Sequence, residues 1–174
     1  SALTEDTVIA ALSDNLSGSD AFYRISIGGM REGVPANAQR SHFWTADDGA
    51  SFPSWLDNSD LMETVAQSGN AQYELAMSLS KGALVCVLVP QDVQPPQWLA
   101  EEGFSNSGVF LSMRDEDGRS IRRTAVWRKV VTDPQTVHLG AIKTGEHGGY
   151  TVATKVLSLP AIARSAASQS NKVN

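Results

Sequence analysis

Residues 83–108 read ALVCVLVPQDVQPPQWLAEEGFSNSG. The run 83–89 is apolar at every position, so both faces of a strand formed there would be covered, as in the middle of a packed sheet. Pro95 and Pro96 lack backbone donors and cannot continue a central ladder, so the chain must leave its sheet before them. A corner is therefore expected. Gly103 can take positive φ at the end of a short helical turn, which folds Trp98 and Leu99 inward beside Phe104. Burying a phenylalanine-sized ring contributes roughly 1.5–3 kcal/mol, whereas a solvated glutamate contributes little, so packing dominates the stretch. Glu101 and Glu102 are adjacent and point in different directions on a helical turn, unlike glycosidase carboxylates, which face each other across a bond. They read as a wet edge.

Working outward, the chain is punctuated like a β protein. AQYELAMSLS (71–80) alternates Tyr73, Leu75, Met77 and Leu79 against smaller or polar neighbours, the period of a strand with one covered face. AFYRISIGG sets Phe22, Arg24 and Ser26 against Tyr23, Ile25 and Ile27, a strand ended by paired glycines. QRSHFWTADDG is a strand entering an Asp-Asp-Gly turn, and SFPSWLDNSD a turn or short helical corner. VFLSMRD and TAVWRKVV flank EDGRSIRR, a long hairpin with a wet tip; TVHLGA and YTVATKVLSL flank the loop IKTGEHGG. Near the start, Val8, Ile9, Leu12 and Leu16 stand at helix-compatible spacing and Gly18 offers a stop, which predicts a short N-terminal helix or arm. Short strands at near-regular spacing argue for two packed antiparallel sheets, an all-β, jelly-roll-like sandwich over residues 1–160, with 161–174 a small, polar tail or linker.

The 174 residues suit one domain, with 41% hydrophobic and 19% charged residues, typical of a folded globular chain. Net charge is −5 and the basic residues are dispersed apart from Arg119, Arg122 and Arg123, so no phosphate-tracking stripe is present and nucleic acid is not an expected partner. No apolar run approaches the roughly 20 residues of a membrane span, and no basic-then-apolar leader opens the chain, which suggests a piece of a longer precursor. The single cysteine, Cys86, lies inside the apolar run and reads as a small buried hydrophobe.

Four tryptophans, at 44, 55, 98 and 127, are the most suggestive functional residues, because indole faces stack on sugar rings. Trp55 and Trp98 sit in corners and Trp127 in an alternating strand, so these three are expected in the core. Trp44 is expected at the surface, where His42, Trp44, Asp47 and Asp48 would form a ligand site with carboxylates accepting bonds from sugar hydroxyls. His42, His138 and His147 are scattered without metal spacing, and DEDG (115–118) lacks the ligand set of a calcium loop, so neither a metal nor a cofactor is expected. No nucleophile elbow, P-loop or dinucleotide fingerprint occurs. The glycine-bearing loops read as turns.

The order of these elements resembles a β-sandwich accessory module of secreted, planctomycete-like bacterial proteins and of polysaccharide-degrading enzymes. The resemblance covers mainly residues 83–157. It rests on the strand Leu84 to Val89, a P-x-W-L-x-x-x-G-F-x-x-T-G corner on Pro96, Trp98, Leu99, Gly103, Phe104 and Gly108, a Y-x-K strand at Trp127 and Lys129, and a V-x-L-G strand on Val137, Leu139 and Gly140. Ser107 and Trp127 depart from the threonine and tyrosine usual there. The resemblance implies a noncatalytic, extracytoplasmic module with a carbohydrate-associated or assembly-related role, its partner a glycan or a neighbouring domain. The alternatives are a structural or protein-interaction domain of a larger surface or signalling protein, and a polysaccharide hydrolase.

Overall fold

The computed structural model describes residues 8–16, 23–36, 42–144 and 149–157. In chain order the strands are β1 (Ile9–Asp14), β2 (Arg24–Met30), β3 (Val34–Pro35), β4 (His42–Ala46), β5 (Ser59–Glu63), β6 (Leu75–Leu79) and β7 (Ala83–Pro90). A five-residue helix, α1 (Gln97–Glu101), precedes β8 (Ser105–Asp115), β9 (Ser120–Val131), β10 (Thr136–Leu139) and β11 (Thr151–Val156). The strands form two antiparallel sheets, one of order β1-β6-β10 and one of order β2-β5-β11-β7-β9-β8-β4-β3.

All eight residues of β7 are buried, because it lies inside the larger sheet between β11 and β9 and is covered on both faces. Its odd positions Val85, Val87 and Val89 pack with Leu75, Met77 and Leu79 of β6 and Val137 and Leu139 of β10, the core between the two sheets. Its even positions Leu84, Cys86 and Leu88 pack with Met30, Trp44, Leu56 and Leu111 in a second core on the opposite face. Period-2 alternation thus distributes one apolar run between two cores.

The second core exists because the larger sheet curls. Its edge strands, β2 and β3, are joined by only three residues, Arg31 to Gly33. Seven strand spacings in a flat sheet would separate those edges by about 34 Å, whereas the chain from Met30 to Val34 reaches at most about 14 Å. The sheet must bend nearly closed, and residues from both ends, Met30 and Val34, meet in one cluster.

Three local expectations are corrected. Residues Ile9–Asp14 are a strand rather than a helix. A register shift between Ile9 and Ala11 leaves one extra residue opposite β6, so Ile9 and Leu12 both reach the inter-sheet core, a spacing of three that imitates a helix. β2 is not ended by its glycine pair but runs through it to Met30 on a bulge, where Gly28 takes φ 61° and donates its N–H to Asp60 Oδ1 at 2.8 Å; Ile27 is turned outward as a result. The hairpin β8–β9 is longer than expected, its tip reduced to Glu116–Arg119, with Asp115 Oδ1 accepting from the N–H groups of Asp117 and Arg119. The tail at 161–174 and His147 lie outside the described residues.

Candidate functional site

The corner after β7 is built for packing. Phe104 N–H donates to Leu99 O and Gly103 N–H to Ala100 O, with Gly103 at φ 89°, the paired bonds that close a helix through a left-handed residue. Leu99 and Phe104 are thereby both buried in the inter-sheet core. The half-buried Trp98 meets Phe104 edge-on with centroids 6.2 Å apart, lies 6.4 Å from the Tyr150 ring, and donates Nε1–H to Ala141 O at 2.9 Å. Lys129 Nζ donates to Glu102 O at 2.6 Å, satisfying a carbonyl at the helix end. Glu101 is exposed. Apart from Gly108, which is exposed in the β8 bulge at φ 78°, the residues that carry the sequence resemblance between Pro96 and Gly140 therefore converge on one packing assembly. Ser107, in place of threonine, uses its hydroxyl within the β8 bulge, donating to Val126 O at 2.6 Å and accepting from Val109 N–H.

The four residues expected to form a ligand site divide between the two faces of the larger sheet. Trp44 is 3% exposed in the second core, so its ring cannot stack on a ligand, which corrects the expected surface position. The physical reason is the curl: β4 pairs with β8 near the sheet edge, and the bend turns its Trp44 side inward. His42, two residues away on the same side of β4, is half-buried. Asp47 turns to the opposite face. Its Oδ2 accepts from Arg123 Nε at 3.0 Å and Nη2 at 2.8 Å, and its Oδ1 from Ser112 Oγ at 3.2 Å. Asp48 Oδ1 accepts from Arg114 Nη2, and Arg114 Nε donates to Thr45 Oγ1 at 2.9 Å.

Register explains why these groups meet. Thr45 pairs with Ser112, and Ser112 with Arg123, so one row crosses β4, β8 and β9 on a single face. One strand pair along, the Arg123 guanidinium lies 3.7 Å over the centre of the Phe110 ring. The result is a face with two carboxylates, two guanidinium groups, the Thr45 hydroxyl and an aromatic ring, with Ser112 buried beneath Asp47. Hydrogen bonds from Arg123 hold the Asp47 carboxyl below its ordinary pKa of 3.8, so it stays ionised at neutral pH and serves as an acceptor rather than an acid. Thr45, Phe110, Ser112, Arg114 and Arg123 went unpredicted. The period-2 order of Phe110, Ser112 and Arg114 was visible, but their partners are fixed by register alone.

The segment from Ala50 to Asn58 covers the second core, on the other side of the sheet from this face. Leu56 is fully buried beneath it, Asn58 holds φ 63° with its N–H on Met30 O, and Lys155 Nζ donates to both Ser54 O and Asp57 O at 2.9 Å. Trp55 is half-buried beneath the Arg128 guanidinium, 4.8 Å away. Beside the segment opens a cleft of about 510 Å³ lined by Glu32, Ala50, Ser51, Phe52, Ser54 and Asp57. Cys86 is 1% exposed and burial pushes its thiol up to about 12, which leaves it an inert packing group.

The architecture has a counterpart of known structure. The chain is similar to a β-glucuronidase from glycoside hydrolase family 2, with a TM-score of 0.63 and 17% identity. The similarity covers 90% of this chain and 15% of that enzyme, so the chain spans a small fraction of its length. At that identity the likeness is one of fold. No protein-family model matches the sequence, and no curated protein matches it.

Proposed function

We propose that this chain is a noncatalytic, extracytoplasmic accessory module of a larger protein, a jelly-roll-like β-sandwich that contacts carbohydrate through the polar face of β4, β8 and β9. The observation that carries the reading is the Asp47–Arg123 pair beside Phe110, with the buried Ser112 hydroxyl holding Asp47 in place. Sugar hydroxyls donate and accept at once, and a row of fixed acceptors and donors flanked by an apolar ring answers both demands. An Asp47 held ionised by arginine favours recognition over proton transfer. The fold likeness supports the reading, since the same architecture occurs as a small part of a glycoside hydrolase.

The test is a panel of soluble and insoluble polysaccharides offered to the chain, read by retention and by release of reducing ends. Retention without release is expected. Release of reducing ends would establish a hydrolase, and failure to retain any glycan would remove the carbohydrate reading.

A second reading, a domain that packs against its neighbours in a larger protein, is favoured by the burial of Trp44 and by Val130, which is 52% exposed on the same face of β9 as Arg128 and so on the side of Trp55. It predicts no glycan retention and a marked gain in stability when adjoining segments of the full protein are restored.

A further inference from the structure

We propose that the cleft beside residues 50–57 binds one uncharged sugar unit, a terminal or branching residue of a neutral glycan. This rests on the reading of the chain as a carbohydrate-associated module and assigns that module a ligand class and a second point of contact.

At about 510 Å³ the cleft has the volume of a small-molecule site, roughly 300–1,000 Å³, but it is shallow and open, suited to one sugar unit held on one side. Its lining has the division of labour that a pyranose requires. The half-buried Phe52 ring packs partly on the second core and offers an apolar wall. Of the other lining residues, Glu32 and Asp57 carry carboxylates, and Ser51 and Ser54 carry hydroxyls. Glu32 Oε2 accepts from Ala46 N–H and Asp57 Oδ2 from Asn58 Nδ2–H, both at 3.3 Å, which restrains each group. An ionised carboxylate has about four acceptor positions, so each retains capacity for sugar hydroxyls.

The walls are also held in place before any ligand arrives. The two bonds from Lys155 to the Ser54 and Asp57 carbonyls, with the buried anchor Leu56, fix the segment that carries Phe52. This lowers the ordering cost of binding. Charge sets the ligand class: among the described residues, those lining the cleft include two carboxylates, and the Lys155 ammonium on the Ser54 and Asp57 carbonyls offsets only one of them, so a uronate would meet net like charge whereas a neutral hexose or pentose would not.

The experiment titrates the ¹⁵N-labelled chain with cellohexaose, mannohexaose, xylohexaose and an oligogalacturonate, following amide shifts, and repeats the titrations on Phe52→Ala, Glu32→Gln and Asp57→Asn. At least one neutral oligomer is expected to shift the amides of residues 50–57, the oligogalacturonate to bind about tenfold more weakly or not at all, and each variant to lose about tenfold in affinity. The wild-type shift map does not depend on whether a variant folds. Binding that shifts only the Asp47–Arg123 face and is unchanged in the three variants would overturn the cleft while leaving the carbohydrate reading standing. Preference for the oligogalacturonate would overturn the ligand class. Silence from every oligomer would count against both.

Discussion

The indole of Trp98 lies against Gly140, so closely that a Cβ at Gly140 would come within 2.7 Å of Trp98 Cδ1. The contact joins the corner after β7 to the segment that leaves β10, and Tyr150 closes it by donating its hydroxyl to Gly140 O at 2.8 Å. Gly140→Ala should therefore destabilise the chain by about 1–3 kcal/mol through overpacking. At roughly 2–4 °C per kcal/mol for a domain of this size, the melting temperature should fall by at least about 2 °C. Differential scanning calorimetry checks this, and an unchanged melting temperature would show that the ring yields freely.

Two substitutions separate the ring of Trp98 from its hydrogen bond. Trp98→Phe keeps most of the apolar contact with Phe104 and Tyr150 and removes the donor to Ala141 O, at a cost of about 1 kcal/mol. Trp98→Ala removes both and should cost about 3 kcal/mol. Urea denaturation of the two variants gives the difference, and equal costs would mean that the ring contributes nothing to packing.

The Asp47–Arg123 pair gives a pH signature of known sign. The folded-state pKa of Asp47 lies below its ordinary value, chiefly through its hydrogen bonds from Arg123. Its stabilisation is thus complete above the unfolded pKa near 3.8 and is lost as pH falls through the folded value. Asp47→Asn should flatten that part of the acid limb in a plot of unfolding free energy against pH. Glu63 runs the other way: burial raises its pKa, opposed by Arg24, so its ionisation costs stability at neutral pH and protonation relieves it. Glu63→Gln should show a smaller loss at pH 7 than at pH 4, where the protonated wild-type group no longer carries that cost.

Cys86 should resist thiol reagents in the native state, since the group is buried and its pKa stands near 12. Labelling at pH 8 is expected to proceed only through opening of the sheet around β7, so its rate should rise with urea in step with unfolding. Rapid labelling without denaturant would contradict the central placement of β7.

Where one segment dictates its own environment, the sequence was legible. The unbroken apolar residues of β7 and the alternation Tyr73, Leu75, Met77, Leu79 foretell their burial without knowledge of any partner, and Pro95, Pro96 and Gly103 foretell the corner. Illegible features depend on distant chain. The Ile9–Leu12 spacing suggests a helix until the bulge opposite β6 is known. Trp44 looks exposed until the curl of the larger sheet covers it. Asp47 and Arg123 stand 76 residues apart, joined only by the registers of β4 with β8 and β8 with β9. β3 and β5 are short and lack a pronounced apolar period, so neither stands out in the sequence, and Ser59 and Asp60 of β5 fall in the stretch expected as a turn or short helical corner.

If the Trp98 corner carries stability and the Asp47 face carries the proposed recognition, one calorimetric comparison separates the two. An oligosaccharide retained by the wild-type chain is titrated into Trp98→Phe and Asp47→Asn at a temperature where both are folded. Affinity should be unchanged in Trp98→Phe and reduced about tenfold or more in Asp47→Asn. Full affinity in Asp47→Asn together with loss of binding in Trp98→Phe would contradict the assignment and place the ligand at the corner.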